Sequence, residues 1–297
     1  MEALIASQVF QRALLEGTIA ALLCSLVGYF MVLRAVTFAG EALTDIGFAG
    51  ATGGVLLGFG PLWGMLGLGL LAAVLLGNLG DRVKGRDIDI GMILSFSLGL
   101  GVLFLSLQAQ MPGSHAAGGV KLLFGSLLSV SDAVLWGSGV VAVVVLTVLA
   151  AVFRPLLFAS IDGATARARG VSTRTLGVVF LLLLAAATAV SVQSMGVLLS
   201  SALLVGPAGA AFQWRRGPLA TLGLAVALAL AITWGGLVLA FAGPFDNAPV
   251  GFFICTLSAL TYGISLLLGR RLTRVAPEEP AHSHHHHAAD AEEGEDV

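Results

Sequence analysis

Apolar residues in this chain come in unbroken runs of about 20, without the alternation of a half-buried strand or the three-to-four spacing of a surface helix. Hydrocarbon offers no partner to a free backbone N–H or C=O, so runs of this length that cross a bilayer do so as helices. The polar breaks between runs predict nine spans, near residues 18–34, 37–59, 61–80, 90–108, 132–153, 176–194, 196–212, 218–241 and 251–269, with eight spans as the alternative. The expected fold is an all-α polytopic transmembrane bundle in residues 1–275, followed by a polar tail in residues 276–297. Glycine-rich stretches such as "GMLGLGLLAAVLLGNLG" would make poor helices in water, but in a membrane small residues let neighbouring backbones approach closely. Gly50, Gly54 and Gly58 repeat that spacing in the second span.

Composition agrees with a membrane chain: 57% of residues are hydrophobic, 11% are charged, and the mean hydropathy is +0.97. Charge then sets orientation. All but Arg12 and Lys121 of the 15 basic residues fall in loops that alternate onto one side, which the positive-inside bias makes the cytoplasm, with the amino terminus outside and the carboxyl terminus inside. The formal net charge of -2 conceals this, because seven of the 17 acids lie beyond Arg274. A polar lead with Glu2, Arg12 and Glu16 precedes the first run and no small-residue cleavage site follows, so a removable signal peptide is not expected. Cys24 and Cys255 sit in separate apolar runs and read as small buried hydrophobes, with no disulfide between them.

Against this background the stretch "GEALTDIGFAG" sets Glu41 and Asp45 one helical turn apart. Counted inward from Arg34, Glu41 lies about 10 Å and Asp45 about 16 Å into a core of about 30 Å. The spacing puts both on one face, where like charges repel and each carboxylate costs about 3 kcal/mol to hold in hydrocarbon. Two readings stay open. The acids decorate the first turn of the second helix, favoured by its positive end. Otherwise they face a polar path and are neutralised by a passing cation or by protons. In that case they form part of the oxygen shell of a divalent cation, completed by neighbouring spans or a second subunit.

The order "VLRAVTFAGEALTDIGFAG", "FGSLLSVSD" and "GVSTRTLGVVFLLLLAAATAVSVQSMGVLLSSALLVGPAGAA" resembles the integral-membrane permease of the zinc, manganese and iron ABC importers, over most of residues 12–270. In that family the second span carries a Gly-Asp-Ala-Leu-Ser-His pattern whose Asp and His are implicated in metal passage. Gly40, Ala42 and Leu43 match it, while Glu41 stands at the Asp position and Asp45 at the His position. Exchanging imidazole for carboxylate hardens the site, which argues against zinc and leaves manganese, iron or another hard cation, or a different substrate on the same scaffold. The resemblance implies a homodimeric pathway, a separate ABC ATPase, an extracytoplasmic metal-binding protein and a multi-pass place in the bacterial inner membrane. It implies no nucleic-acid partner and no enzymatic activity in this chain. ATP would act only through the partner, since no GxxxxGK[ST] motif occurs here.

Between the fifth and sixth runs, "RPLLFASIDGATARARGVSTR" is too polar to span. Asp162 is placed to cap a short helix that carries Arg167 and Arg169 and stops at Gly170. By resemblance this is the coupling helix that docks on the ATPase, although a Glu common there in the family is missing; by composition alone it is a basic connector. His115, in the external loop "QAQMPGSHAAGGVK", reads as a solvated residue. The tail holds His282, His284, His285, His286 and His287 in an acidic, proline-bounded segment, either a weak metal-binding buffer or an incidental cluster in disordered chain. Two other functions compete: a secondary transporter that shuttles protons on Glu41 and Asp45, and a membrane enzyme that uses them as an acid/base pair. The enzyme lacks support from any HExxH or serine-nucleophile signature.

Overall fold

The computed structural model describes residues 8–79, 86–110, 125, 127, 131–214, 217–242 and 250–273, and among these every regular element is helical. The helices are α1 (Gln8–Leu33), α2 (Thr37–Leu56), α3 (Pro61–Leu79), α4 (Arg86–Ala109), α5 (Asp132–Ile161), α6 (Gly163–Ala168), α7 (Thr173–Met195), α8 (Val197–Phe212), α9 (Pro218–Ala242) and α10 (Val250–Thr273). Nine correspond to the predicted runs. Seven of these, α1, α3, α4, α5, α7, α9 and α10, are long and apolar enough to cross a membrane. The other two are α8, which is apolar but has 16 residues, and α2, which carries the acids.

Burial separates a centre from a rim. α1 and α7 are 67% buried inside the protein, whereas α4 is 17% buried and presents Met92, Phe96 and Val102 outward. The centre is fastened by aromatic contacts: Phe30 of α1 meets Phe153 of α5 edge-on at 5.5 Å and Phe180 of α7 at 6.4 Å. Tyr29 stacks on Phe212 of α8 at 5.2 Å. α2 is enclosed by α3, α4, α7 and α8, and everything from Ala42 to Gly54 on it is buried. Its neighbours are therefore protein, which explains how a helix too polar for lipid holds its place.

Glycine permits that enclosure. A Cβ on Gly50 or Gly54 would run into the α3 backbone at Gly64, and one on Gly64 into Gly50. Gly58 does not belong to this seam: α2 ends at Leu56, and Gly58 takes a φ of 80° in the turn that follows.

Two boundaries differ most from the sequence reading. α1 begins at Gln8, so Arg12 and Glu16, expected in a lead before the span, belong to the helix, and Glu16 is wholly buried. α5 continues eight residues past the expected end at 153, through Pro155, because Leu156 is buried and Leu157 packs against the core, which holds the chain helical across the proline. At 30 residues, about 45 Å, α5 outruns the hydrocarbon core and carries α6 clear of it. Cys24 and Cys255 are free thiols, Cys24 buried and Cys255 partly so.

Candidate functional site

A tight turn delivers α2 from the end of α1. Ala35 adopts a φ of 54°, and the amides of Arg34, Ala35 and Val36 bond back to Phe30, Val32 and Met31. The Arg34 guanidinium lies 5.4 Å from the centre of the Phe180 ring, tying this corner to α7. The chain is thus helical again by Thr37, and Glu41 and Asp45 follow on one face of the second and third turns.

Asp45 is 7% exposed and Glu41 is partly buried. The Ser201 hydroxyl of α8 donates to Glu41 Oε1 at 3.1 Å. Among the described residues no basic side chain forms an ion pair with either acid, the single ion pair being Arg12 with Asp132. The Thr44 hydroxyl lies between the acids in sequence but is spent on the Gly40 carbonyl of its own helix at 3.0 Å. The unit is therefore two carboxylates and one hydroxyl, all oxygen donors, with Glu41 bonded across to α8.

Ser201 reaches this position because α7 and α8 are joined through one residue. Gly196 takes a φ of 86° and a ψ of 164°, open only to glycine, and its amide closes α7 on Val192 at 2.9 Å. Ser201 stands in the opening turns of α8, so the helix end with its unpaired amides and positive field lies near the acids. α8 also presses on α1, where a Cβ at Gly28 would collide with the Leu204 carbonyl. Sequence reading missed Ser201; the only trace was a polar pair, "SS", just after a glycine in an apolar run.

Between α5 and α7, the Asp162 carboxylate caps α6, accepting from the amides of Ala164 at 3.1 Å and Thr165 at 2.9 Å and from the Thr165 hydroxyl at 2.5 Å. The Thr165 hydroxyl first, and then the two amides, hold this carboxyl below the usual aspartate range. Gly170, at a φ of 81°, ends the turn after α6, with the Val171 amide returning to Ala166 at 3.0 Å. Arg167 and Arg169 are exposed, apart from the approach of Arg169 to the Phe158 ring at 5.7 Å. α6 packs on α5 and α7. His115 and the tail histidines 282 and 284–287 lie outside the described residues.

Among the described residues no three His, Cys, Asp or Glu side chains stand close enough to hold a metal ion. A divalent cation at Glu41 and Asp45 would thus find an incomplete, oxygen-only shell in one chain.

Comparison with known proteins gives these elements a context. The model of the ABC 3 transport family matches residues 6–269. A protein of Treponema pallidum described as "Probable metal transport system membrane protein" is 33% identical over 269 residues, covering 89% of this chain and 96% of the relative. The manganese import system permease protein ScaB of Streptococcus gordonii is 28% identical over 260 residues, covering 87% and 90%. Among solved structures, PsaBC from Streptococcus pneumoniae in complex with Fab superposes with a TM-score of 0.80 at 23% identity, covering 92% of this chain and 97% of that one.

Proposed function

The chain belongs to the ABC 3 transport family, and from that premise we propose that it is the permease through which a divalent transition metal, manganese, zinc or iron, enters the cytoplasm past Glu41 and Asp45. One observation carries the reading: two carboxylates share a face of an enclosed helix, with no basic side chain paired to them among the described residues and a hydroxyl from α8 steadying Glu41. A cation in transit offsets their charge, and loss of water from the ion is met by carboxylate and hydroxyl oxygens. This donor set suits manganese better than zinc, which favours imidazole and thiolate. The name of the streptococcal relative, a manganese import permease, supports the same choice.

The incomplete shell argues for two copies of the chain, whose paired α2 helices would bring four carboxylates to one axis. α6 supplies the contact to a separate ATPase, with Asp162 and Gly170 fixing its ends and Arg167 and Arg169 exposed for docking. A binding protein outside the plasma membrane delivers the metal. The histidines of the tail act as a weak cytoplasmic metal buffer; removal of residues 277–297 should then alter uptake only at extreme metal concentrations.

The test is uptake of labelled manganese, zinc and iron into vesicles that contain the assembled complex. Manganese should be carried fastest, and Glu41→Gln combined with Asp45→Asn should abolish flux while the complex still assembles. Equal flux in the double variant would remove the pair from the pathway.

A further inference from the structure

The proposed path along α2 leaves a further buried acid of the bundle, Glu16, without a task. Glu16 of α1 is fully buried, and neither carboxyl oxygen has a hydrogen-bond partner. Across the seam between α1 and α5 the Ser138 hydroxyl faces it, itself fully buried and unpartnered. α9 packs beside it through Thr233, whose methyl would lie 3.0 Å from a Cβ on Gly17 and whose hydroxyl is itself buried and unpartnered. One turn outward on the same face of α1, Arg12 Nη2 pairs with Asp132 Oδ1 at 2.9 Å, with side chains 38% and 66% exposed.

A carboxyl group in such a place must be neutralised, and the sources can be taken in turn. Arg12 is engaged by Asp132. α8 and α9 hold no ionisable side chain, Arg174 lies in the first turn of α7 at the membrane face opposite Arg12, and Arg154 is in the far part of α5. Cys24, on the same helix, stands two turns further in, and α2 offers only Glu41 and Asp45. A metal ion fares no better, because one carboxyl and one hydroxyl fall well short of the shell a divalent cation takes. A proton remains.

We propose that Glu16 is a proton-bearing carboxylic acid whose O–H donates to Ser138 Oγ, a clasp that fastens the outer half of α1 to α5 beneath the Arg12–Asp132 pair. The juxtaposition is specific to this seam: an acid on α1, a hydroxyl on α5, and, among the described residues, nothing charged at their level. Its ligand is the proton, and its work is to hold two helices together while α2 handles the cation.

Infrared difference spectra of the purified full-length chain in lipid nanodiscs at neutral pH test this. Unaltered protein minus Glu16→Gln should show the carbonyl stretch of a protonated carboxyl, and in Ser138→Ala that band should move to higher frequency because the O–H loses its acceptor. Loss of ionised-carboxylate bands in Glu16→Gln, or an unmoved band in Ser138→Ala, would overturn the assignment. Should Glu16→Gln fail to assemble, Ser138→Ala retains the carboxyl and reads the same band. Metal flux is a separate readout, so the clasp can fail without the α2 pathway failing, and the reverse.

Discussion

Two acidic regions sit inside the same bundle under opposite conditions. Glu41 and Asp45 lie together on α2, with Glu41 partly accessible and held by Ser201 at 3.1 Å. Glu16 lies alone on α1, sealed from solvent and with no hydrogen bond. The difference teaches that burial of a carboxylate does not by itself indicate a cation site. What separates the regions is the number of oxygens within reach and whether an ion can arrive. A paired, partly open set is suited to a charge that comes and goes, whereas a sealed single acid is suited to a proton that stays.

Several substitutions press on that contrast. Asp45→Asn with Glu41→Gln should abolish manganese flux, a loss beyond the roughly 10–100-fold that removal of an outer-shell partner costs, with the complex still recoverable at full size by gel filtration. Ser201→Ala should weaken flux by roughly tenfold, and Ser201→Thr should restore most of it, because the hydroxyl orients Glu41 rather than carrying charge. A rise in the manganese concentration needed for half-maximal uptake, with the maximal rate little changed, is the expected pattern for Ser201→Ala. Glu16→Gln, by contrast, should leave flux within about twofold of the unaltered chain, because the neutral amide substitutes for a neutral acid. A loss as large as that of the α2 pair would place Glu16 in the pathway and erase the distinction.

The smallest effect is expected at Asp162, outside the membrane. Its bonds to Thr165 and Ala164 favour the ionised form, so its capping contribution to α6 is complete at neutral pH and fades as the medium is acidified through the lowered value. The protection factors of the Ala164 and Thr165 amides, with the intrinsic rise of exchange with pH divided out, should therefore stay high and level between about pH 5 and 8, and fall in Asp162→Ala across that whole range.

Most of the helical plan was legible in the sequence because lipid punishes any unpaired backbone, and an apolar run of span length has one way to answer. Nine runs became nine helices, and Glu41 and Asp45 were visible as charges where charge is costly. Boundaries were less legible where side-chain packing overrode composition. Polar residues at 12 and 16 read as a lead, yet α1 incorporates both, since Arg12 finds Asp132 and Glu16 is covered by α5 and α9. Leu156 and Leu157 likewise draw α5 onward past a proline. Ser201 was invisible because a serine in an apolar helix most often bonds its own backbone, as Ser200 does to Val197 at 2.9 Å.

By itself the sequence determined that this chain is a helical membrane protein, that Glu41 and Asp45 stand in an apolar run, and that Gly50 and Gly54 permit close packing. These follow from transfer energies and steric limits that act on each residue wherever its neighbours fall. Only the tertiary structure decided that α2 is wrapped in protein, that a glycine between α7 and α8 swings Ser201 onto Glu41, and that Glu16 faces Ser138 with no basic side chain beside it among the described residues. The last two outcomes depend on contacts between residues more than a hundred positions apart, and pairing at that range is a property of packed surfaces, which no local pattern encodes.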